Sequence, residues 1–374
     1  TLTYSDDGQF YGRSLEWSST TGSGYPNNVI IEDNMTLNLG ANGGTGTARQ
    51  IAGDLTVKNG STLSMDENGE EMTAALTVLG DFTNKGTVEL SSSSGGDLRL
   101  QGDFDDNDTF NANGRAVFFE GGNTQNINSN SDPLEIDVMR INKSGGEVIM
   151  DANLLIAKTG DPLIFSNNTS FLNLNGNNLT IGENGTTSSI TYNGGAFKGT
   201  STSSMTIEGN GTLGGGLVFD NASDDLDNLT ISRNSGLVTL NSALNVANDI
   251  TIEEGTFELS AANNLDGNLI LNGGSFSSGA STGNTETLNT LDLNSDSSID
   301  LGTGSHNLTF ANSSGVSWTA GAILTINGWT GDAGMSGSGT AGTINVGSGG
   351  LTNDQLNQIQ FNGYPTGAVI TSSG

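Results

Sequence analysis

The sequence predicts an all-β chain wound as a parallel β-solenoid, and three observations lead there. The first is an apolar–polar–apolar phrase that keeps returning. It reads Leu179-Thr180-Ile181, Met205-Thr206-Ile207, Leu229-Thr230-Ile231, Ile250-Thr251-Ile252, Leu291-Asp292-Leu293, Leu308-Thr309-Phe310 and Leu324-Thr325-Ile326. Leu269-Ile270-Leu271 fills the same slot, and Leu55-Thr56-Val57, Leu76-Thr77-Val78 and Leu98-Arg99-Leu100 are fainter copies upstream. Period-two alternation marks a strand with one buried face. The second observation is spacing: successive centres from 180 to 325 lie 16 to 26 residues apart. Such steps suit one coil of a stacked repeat and are too short for a propeller blade. At about 22 residues per coil, the 374 residues make roughly 17 coils.

The third observation is composition. Gly is 56 of 374 residues and Pro only 4, while Asn, Ser and Thr fill the gaps between strands. Corners need Gly and Asn for left-handed backbone angles, and Ser, Thr or Asp for side-chain bonds to the backbone. A hydrophobic share of 33% is low for a compact enzyme but enough for one narrow apolar column.

Along the chain we expect a single elongated domain in three parts. Residues 1–28 form an N-terminal cap or first coil, in which Phe10, Tyr11, Trp17 and Tyr25 plug the open apolar column. Residues 29–312 form the body, with Gly and Asn bends such as Asn59-Gly60, Lys85-Gly86, Ser235-Gly236 and Glu254-Gly255 at its corners. Taken singly, such bends also fit antiparallel hairpins; their recurrence favours the solenoid. Residues 102–135 and 183–204 break the rhythm and are read as side loops. Residues 313–374 hold terminal coils and a C-terminal cap. There, Thr352-Asn353-Asp354-Gln355 has the form of a capping box, flanked by Leu351 and Leu356, and it opens a short helix. Trp318, Trp329, Phe361 and Tyr364 supply cover that hides strand edges.

Charge narrows the function classes. The chain carries 11 Lys plus Arg against 41 Asp plus Glu, a formal charge of −30, and its last basic residue is Arg233. Nucleic acid is excluded as a partner, because phosphate binding needs clustered cations. Anionic membrane surfaces are disfavoured for the same reason. There is no cysteine, so neither a disulfide nor a thiolate metal site exists. No apolar run approaches the length of a membrane helix. The chain starts at Thr1 without a visible signal peptide, and we read it as a segment of a longer secreted protein.

The two ends resemble a known group. Trp17-Ser18-Ser19-Thr20 followed by Gly24-Tyr25-Pro26-Asn27-Asn28-Val29-Ile30-Ile31 is similar to the opening of secreted β-helical surface proteins of Bacteroidota. Gly350-Leu351-Thr352-Asn353-Asp354-Gln355-Leu356-Asn357-Gln358-Ile359 with Phe361-Asn362-Gly363-Tyr364-Pro365-Thr366-Gly367-Ala368 resembles their terminal coil and cap. Autotransporter-associated β-strand repeat proteins close in a similar way. Together the two ends cover roughly a quarter of the chain. The resemblance implies a right-handed parallel β-helix that is secreted, cell-attached and adhesin-like, handled by the outer-membrane export and attachment machinery. Such proteins carry a sorting domain for type IX export; none is seen before Gly374, which leaves export route and anchoring open.

Chemistry-bearing residues are few. The one histidine, His306, precedes a strand and is read as an exposed turn residue; alone it builds neither a zinc site nor a Ser-His-Asp triad. Arg140-Ile141-Asn142-Lys143 is a lone basic fragment, and Asp224-Asp225 has no basic companion. No catalytic or cofactor-binding residue is assigned. The best metal candidate is the run Asp103-Phe104-Asp105-Asp106-Asn107-Asp108, expected in a loop, with Asp103, Asp105, Asn107 and Asp108 as oxygen ligands for Ca²⁺. It lacks the glycine and glutamate of an EF-hand loop, and a solvated acidic turn is the competing reading. A second cluster, Asp224, Asp225 and Asp227, is weaker.

The expected function is a non-catalytic, secreted, monomeric rod that acts in surface adhesion or as a spacer and meets glycans or a solid surface through weak polar contacts. The principal alternative is a β-helical polysaccharide lyase or glycoside hydrolase, which calls for paired carboxylates in a cleft beside exposed aromatics. A third is an ice- or mineral-binding face. Outward Thr180, Thr206, Thr230 and Thr251 motivate it, although Ile270 and Asp292 interrupt that row.

Overall fold

The structure is a computed structural model that describes residues 1–374 except 7, 68, 262, 264, 281, 282, 331–341 and 371–374. It is nearly all β: parallel strands stack as a solenoid of about 13 turns, with one short α-helix near the C-terminus. The turns are fewer than the roughly 17 expected because each consumes more chain. In-register Val29, Leu55, Phe82, Phe104 and Ile127 are 26, 27, 22 and 23 residues apart. By contacts the chain divides into two compact units, residues 1–179 with 190–196, and residues 180–189 with 197–374.

In the first unit three sheets run side by side, and past the end of the second one Leu134–Glu135 and Leu154–Ile156 pair in a further sheet. The first sheet takes Leu2–Ser5, Val29–Glu32, Leu55–Val57, Phe82–Asn84, Phe104–Asp106, Gln125–Ser129, Val148–Met150 and Phe171–Asn173 in order. The second takes Phe10–Gly12, Thr36–Asn38, Thr62–Ser64, Thr87–Glu89 and Thr109–Asn111, and stops. The third takes Arg49–Ile51, Leu76–Val78, Leu98–Leu100, Ala116–Gly121, Val138–Lys143 and Gly160–Phe165. Like residues stack on like: Leu55 over Phe82 over Phe104 inward, with the Phe82 and Phe104 rings 5.2 Å apart and nearly parallel. Each such fully buried side chain contributes about 1.5–3 kcal/mol. The interval 102–135, expected as loop, is instead strand-rich, and so is 183–204, where Ser188–Tyr192 and Ala196–Lys198 are strands. Their inward residues alternate with polar ones as elsewhere, but Asp106, Gln125, Ser188 and Ser203 occupy inward slots and mask the pattern.

A side-chain ladder fixes the corner before the first sheet. The backbone N–H of Asp54 donates to Asn28 Oδ1 (3.1 Å), that of Asp81 to Asp54 Oδ1 (3.0 Å), that of Asp103 to Asp81 Oδ1 (2.9 Å) and that of Asn126 to Asp103 Oδ1 (2.7 Å). Each rung thus ties a turn to the one before it. The preceding glycines make room: a Cβ on Gly80 would lie 2.3 Å from Asp54 Oδ1 and 2.6 Å from the Gly53 carbonyl carbon. The sequence signal is an Asn or Asp directly before the strand phrase, with Gly before it at 53, 80 and 102.

In the second unit the main sheet takes Ser204–Asn210, Asp225–Leu240, Asn245–Leu259, Ser275–Ser277, Ser297–Asp300, Leu324–Asn327 and Ile359–Phe361, with Asn268–Leu271 and Leu291–Leu293 also joining. Leu229, Ile250, Leu269 and Leu291 stack in register, all buried. The two longest strands, of 16 and 15 residues, pass from one face to the next through register shifts around Ser232 and Leu237. The ladder recurs here: Asp249 N–H donates to Asn228 Oδ1, Asn268 Nδ2 to Asp249 Oδ1, and Thr290 N–H to Asn268 Oδ1.

The ends combine confirmed and corrected expectations. Trp17 is fully buried and its indole N–H donates to the Gln50 carbonyl (3.2 Å), but Phe10 and Tyr11 stay exposed. Residues 1–28 also supply the first strands of two sheets. At the other end the capping box forms as predicted: Gln355 N–H donates to Thr352 Oγ1 (3.2 Å) and Thr352 N–H to Gln355 Oε1 (2.7 Å), opening helix Asn353–Asn357. Trp318 is buried, and Trp329 packs against Phe361 and Tyr364. Among the described residues no helix is long and apolar enough to cross a membrane.

Two substitutions test the ladder. Asp81→Ala removes one acceptor at an exposed corner and should cost about 1 kcal/mol. Gly80→Ala forces backbone apart and should cost more, about 1–3 kcal/mol. Urea unfolding of both variants checks the order; equal effects would show that the corner has slack.

Candidate functional site

The polar surface is built from strand parity. Side chains that alternate with the buried column face outward, and in-register stacking lines them up. On the second sheet of the first unit, Thr36, Thr62, Thr87 and Thr109 stack without interruption, opposite buried Leu37, Leu63 and Val88. In the second unit, Thr206, Thr230 and Thr251 stack and are then followed by Ile270 and Asp292. The uninterrupted threonine row thus belongs to a different sheet from the one the sequence pointed to. Its strands are only three residues long, too short for their repetition to stand out from a Thr-rich background.

A concavity in each unit interrupts this surface. In the second unit an open trough of about 560 Å³ crosses successive bends and is lined by Thr212, Asn234, Ser235, Glu254, Thr256 and Ser275. Ser235 holds a left-handed backbone (φ 51°), which turns the Asn234-Ser235-Gly236 bend outward. In the first unit a recess of about 290 Å³ opens where the second sheet stops, between Phe110 and the charged residues Glu135, Asp137 and Lys158.

The proposed calcium ligands make separate hydrogen bonds. The segment Phe104–Asp106 is a strand, not a loop, because Phe104 fills the core. Asp103 accepts from Asn126 as a rung of the ladder. Asp105 accepts from Asn107 Nδ2 (2.7 Å), and Asp108 accepts from the Thr109 hydroxyl (3.2 Å). Asp106, between them, points inward and accepts from Asn84 Nδ2 (2.7 Å). The second acidic cluster is likewise engaged: Asp225 accepts from Asn245 Nδ2 and Asp227 from Asn248 Nδ2. Among the described residues no group of three or more His, Cys, Asp or Glu is arranged to hold a metal.

His306 corrects another expectation. It is buried, not an exposed turn residue, and its Nδ1 accepts from the Asn284 N–H (3.1 Å). Burial lowers its pKa. Its parity gives the reason, since it precedes the inward Leu308 by two positions and faces the same way.

Sequence reasoning also missed a set of buried cations. Lys143 is fully buried, with Nζ donating to the Glu120 carbonyl (3.0 Å) and Gln125 Oε1 (2.5 Å); burial pushes its pKa down to about 8. Arg233 donates to the carbonyls of Glu208 (2.7 Å) and Ser188 (2.8 Å). Arg49 donates to those of Thr47 (2.8 Å) and Gly44 (3.1 Å), and burial lowers its pKa to about 10. These groups satisfy backbone acceptors rather than carboxylates; Arg99, by contrast, pairs with Glu120 (2.5 Å). Lys143 and Arg233 each lie in register with a glycine one turn earlier, Gly121 and Gly209.

The chain matches no family model, no curated protein and no solved structure.

Buried acids generate a pH prediction. Glu286 is fully buried; burial raises its carboxyl to about 7, against hydrogen bonds from the backbone of Asn263 and Leu265, and Oε2 has no partner. Burial likewise raises Asp106 to about 6. A carboxyl raised on folding binds its proton more tightly in the native state, so its stabilisation is complete below the unfolded pKa and is lost as pH rises through the folded value. Melting temperature should therefore fall between pH 4.5 and 7 for Glu286, and between 3.8 and 6 for Asp106. Glu286→Gln should flatten the upper part of that slope and raise the melting temperature at pH 7.5. An unchanged slope would remove Glu286 as its source.

Proposed function

We propose that the chain is a non-catalytic, extracellular adhesin-like or spacer protein that engages a glycan polymer or a solid surface through many weak polar contacts. The observation that carries this reading is the in-register row Thr36, Thr62, Thr87 and Thr109. Neighbouring strands of a sheet are about 4.8 Å apart, so the row offers hydroxyls at a fixed repeat. A periodic ligand meets such a row at several points at once. Weak single contacts then multiply into useful retention, because each later contact is intramolecular. The trough lined by Asn234, Ser235, Glu254 and Thr256 adds further polar surface. A formal charge of −30 keeps such particles apart and favours neutral or cationic surfaces over anionic ones.

The same row favours one further reading, an ice- or mineral-binding face, because a regular hydroxyl lattice also matches an ordered solid.

The test replaces the four threonines by valine, which keeps shape and strand preference while removing the hydroxyls. Retention on insoluble cellulose, chitin and hydroxyapatite should fall about tenfold or more in the quadruple variant, as expected when a multivalent row is lost. Thermal hysteresis in the unsubstituted protein would select the ice reading. Release of reducing ends from any polysaccharide would overturn the non-catalytic assignment, and equal retention of the variant would remove the row from the binding surface.

A further inference from the structure

We propose that the recess at the end of the second sheet of the first unit binds one neutral hexopyranose unit. The inference deepens the glycan reading above and rests on it, but it names a separate site and a separate ligand size.

The recess exists because the sheet stops. Thr109–Asn111 pairs with Thr87–Glu89 on one side, and no strand of the second sheet lies on the other. In the next turn, Leu134–Glu135 pairs instead with Leu154–Ile156 in another sheet, which leaves a step in the wall. Backbone groups of a parallel strand alternate sides. Thr109 N–H donates to the Gly86 carbonyl and the Asn111 carbonyl accepts from Leu90 N–H, so both face the paired side. Phe110 between them therefore turns its N–H and C=O toward the step, one donor and one acceptor at an open edge.

Side chains complete the recess. The Phe110 ring is only half-buried, and edge-to-face contacts with Phe104 (5.2 Å, 90°) and Phe82 (6.4 Å, 78°) hold it in place. A ring fixed in this way offers apolar surface to the C–H groups of a sugar without further ordering cost. Asp137 accepts from Gly114 N–H (2.6 Å), which holds its carboxylate at the rim and leaves further lone pairs on its oxygens. Lys158 is exposed and lies over Gly114, where a Cβ would be 3.1 Å from Nζ, and it forms no ion pair among the described residues.

Charge and size select the ligand. Two carboxylates beside one ammonium give both acceptors and donors within about 290 Å³. An anionic ligand is opposed by Glu135, Asp137 and the −30 net charge, while a purely cationic one offers no acceptor to the Lys158 ammonium or the Phe110 N–H. A neutral polyol ring avoids both conflicts: its hydroxyls donate to the carboxylates and accept from the ammonium and the Phe110 N–H. An extended peptide also pairs with open strand edges, but three residues of edge give it few backbone bonds, and the ring then has no special use.

The probes are the methyl glycosides of glucose, galactose and mannose, titrated into the ¹⁵N-labelled protein with amide shifts as readout. At least one should shift Phe110 to Gly114 and Lys158 with a dissociation constant of about 1–10 mM. Lys158→Met, at an exposed position, should weaken binding about tenfold with the melting temperature unchanged. Phe110→Leu, which keeps an apolar residue against the core, should weaken it by a similar factor. No shift up to about 50 mM for all three, shifts indifferent to both variants, or binding of a blocked Thr-Val-Thr tripeptide in place of sugars would each overturn the site. Polymer retention that survives loss of this site leaves the threonine row standing; loss of retention with hexoside binding intact leaves the recess standing and removes the row.

Discussion

One backbone N–H reaching back to a side-chain oxygen of the previous turn sets the register on which all else depends. Strand pairing alone leaves a short parallel strand free to slip, since three residues fix little and one step inverts every side chain. The Asn28, Asp54, Asp81, Asp103 and Asn126 rungs remove that freedom at the corner before the strand begins. With register fixed, Leu55, Phe82 and Phe104 must lie over one another, and so must the polar residues between them. The core and the outer rows are therefore two readings of a single alignment.

The interior tolerates charge in an unusual way. Lys143, Arg49 and Arg233 are buried against carbonyl oxygens, although the chain has acids in large excess. A carboxylate partner would carry its own desolvation cost into the core. Corner carbonyls need donors in any case, so a cation there satisfies several at once. Desolvation still dominates for Lys143 over the favourable influence of Asp103 and Glu120, which is why its pKa falls. Glu286 and Asp106 show the mirror case, acids held inward and pushed upward by the same loss of water.

Much of this architecture was legible in the sequence. The Leu-Thr-Ile phrases placed the buried column, and Thr352 to Gln355 placed the helix and its cap. The interval 102–135 was not legible as strand, because Asp106 and Gln125 take inward slots that a hydrophobicity pattern reads as breaks. A parity reading recovers them: Lys143 follows Ile141 by two, Arg233 follows Ile231 by two, and Asp106 follows Phe104 by two. The recess was beyond reach for a different reason. It arises because Leu134–Glu135 joins another sheet, and partner choice between sheets leaves no mark in local sequence.

The pairing of Lys143 with Gly121, and of Arg233 with Gly209, bears on how such a chain grows or shrinks. Rungs made of interchangeable Asn and Asp allow a single winding to be copied or excised, since the break rejoins one acceptor to another donor. A winding that carries an inward cation is different: its neighbour must present the carbonyl that the cation binds, Glu120 for Lys143 and Glu208 for Arg233, each just before a glycine of positive φ. At those places heredity has to move two windings together, so length variation among descendants should come in doublets there and in singlets elsewhere.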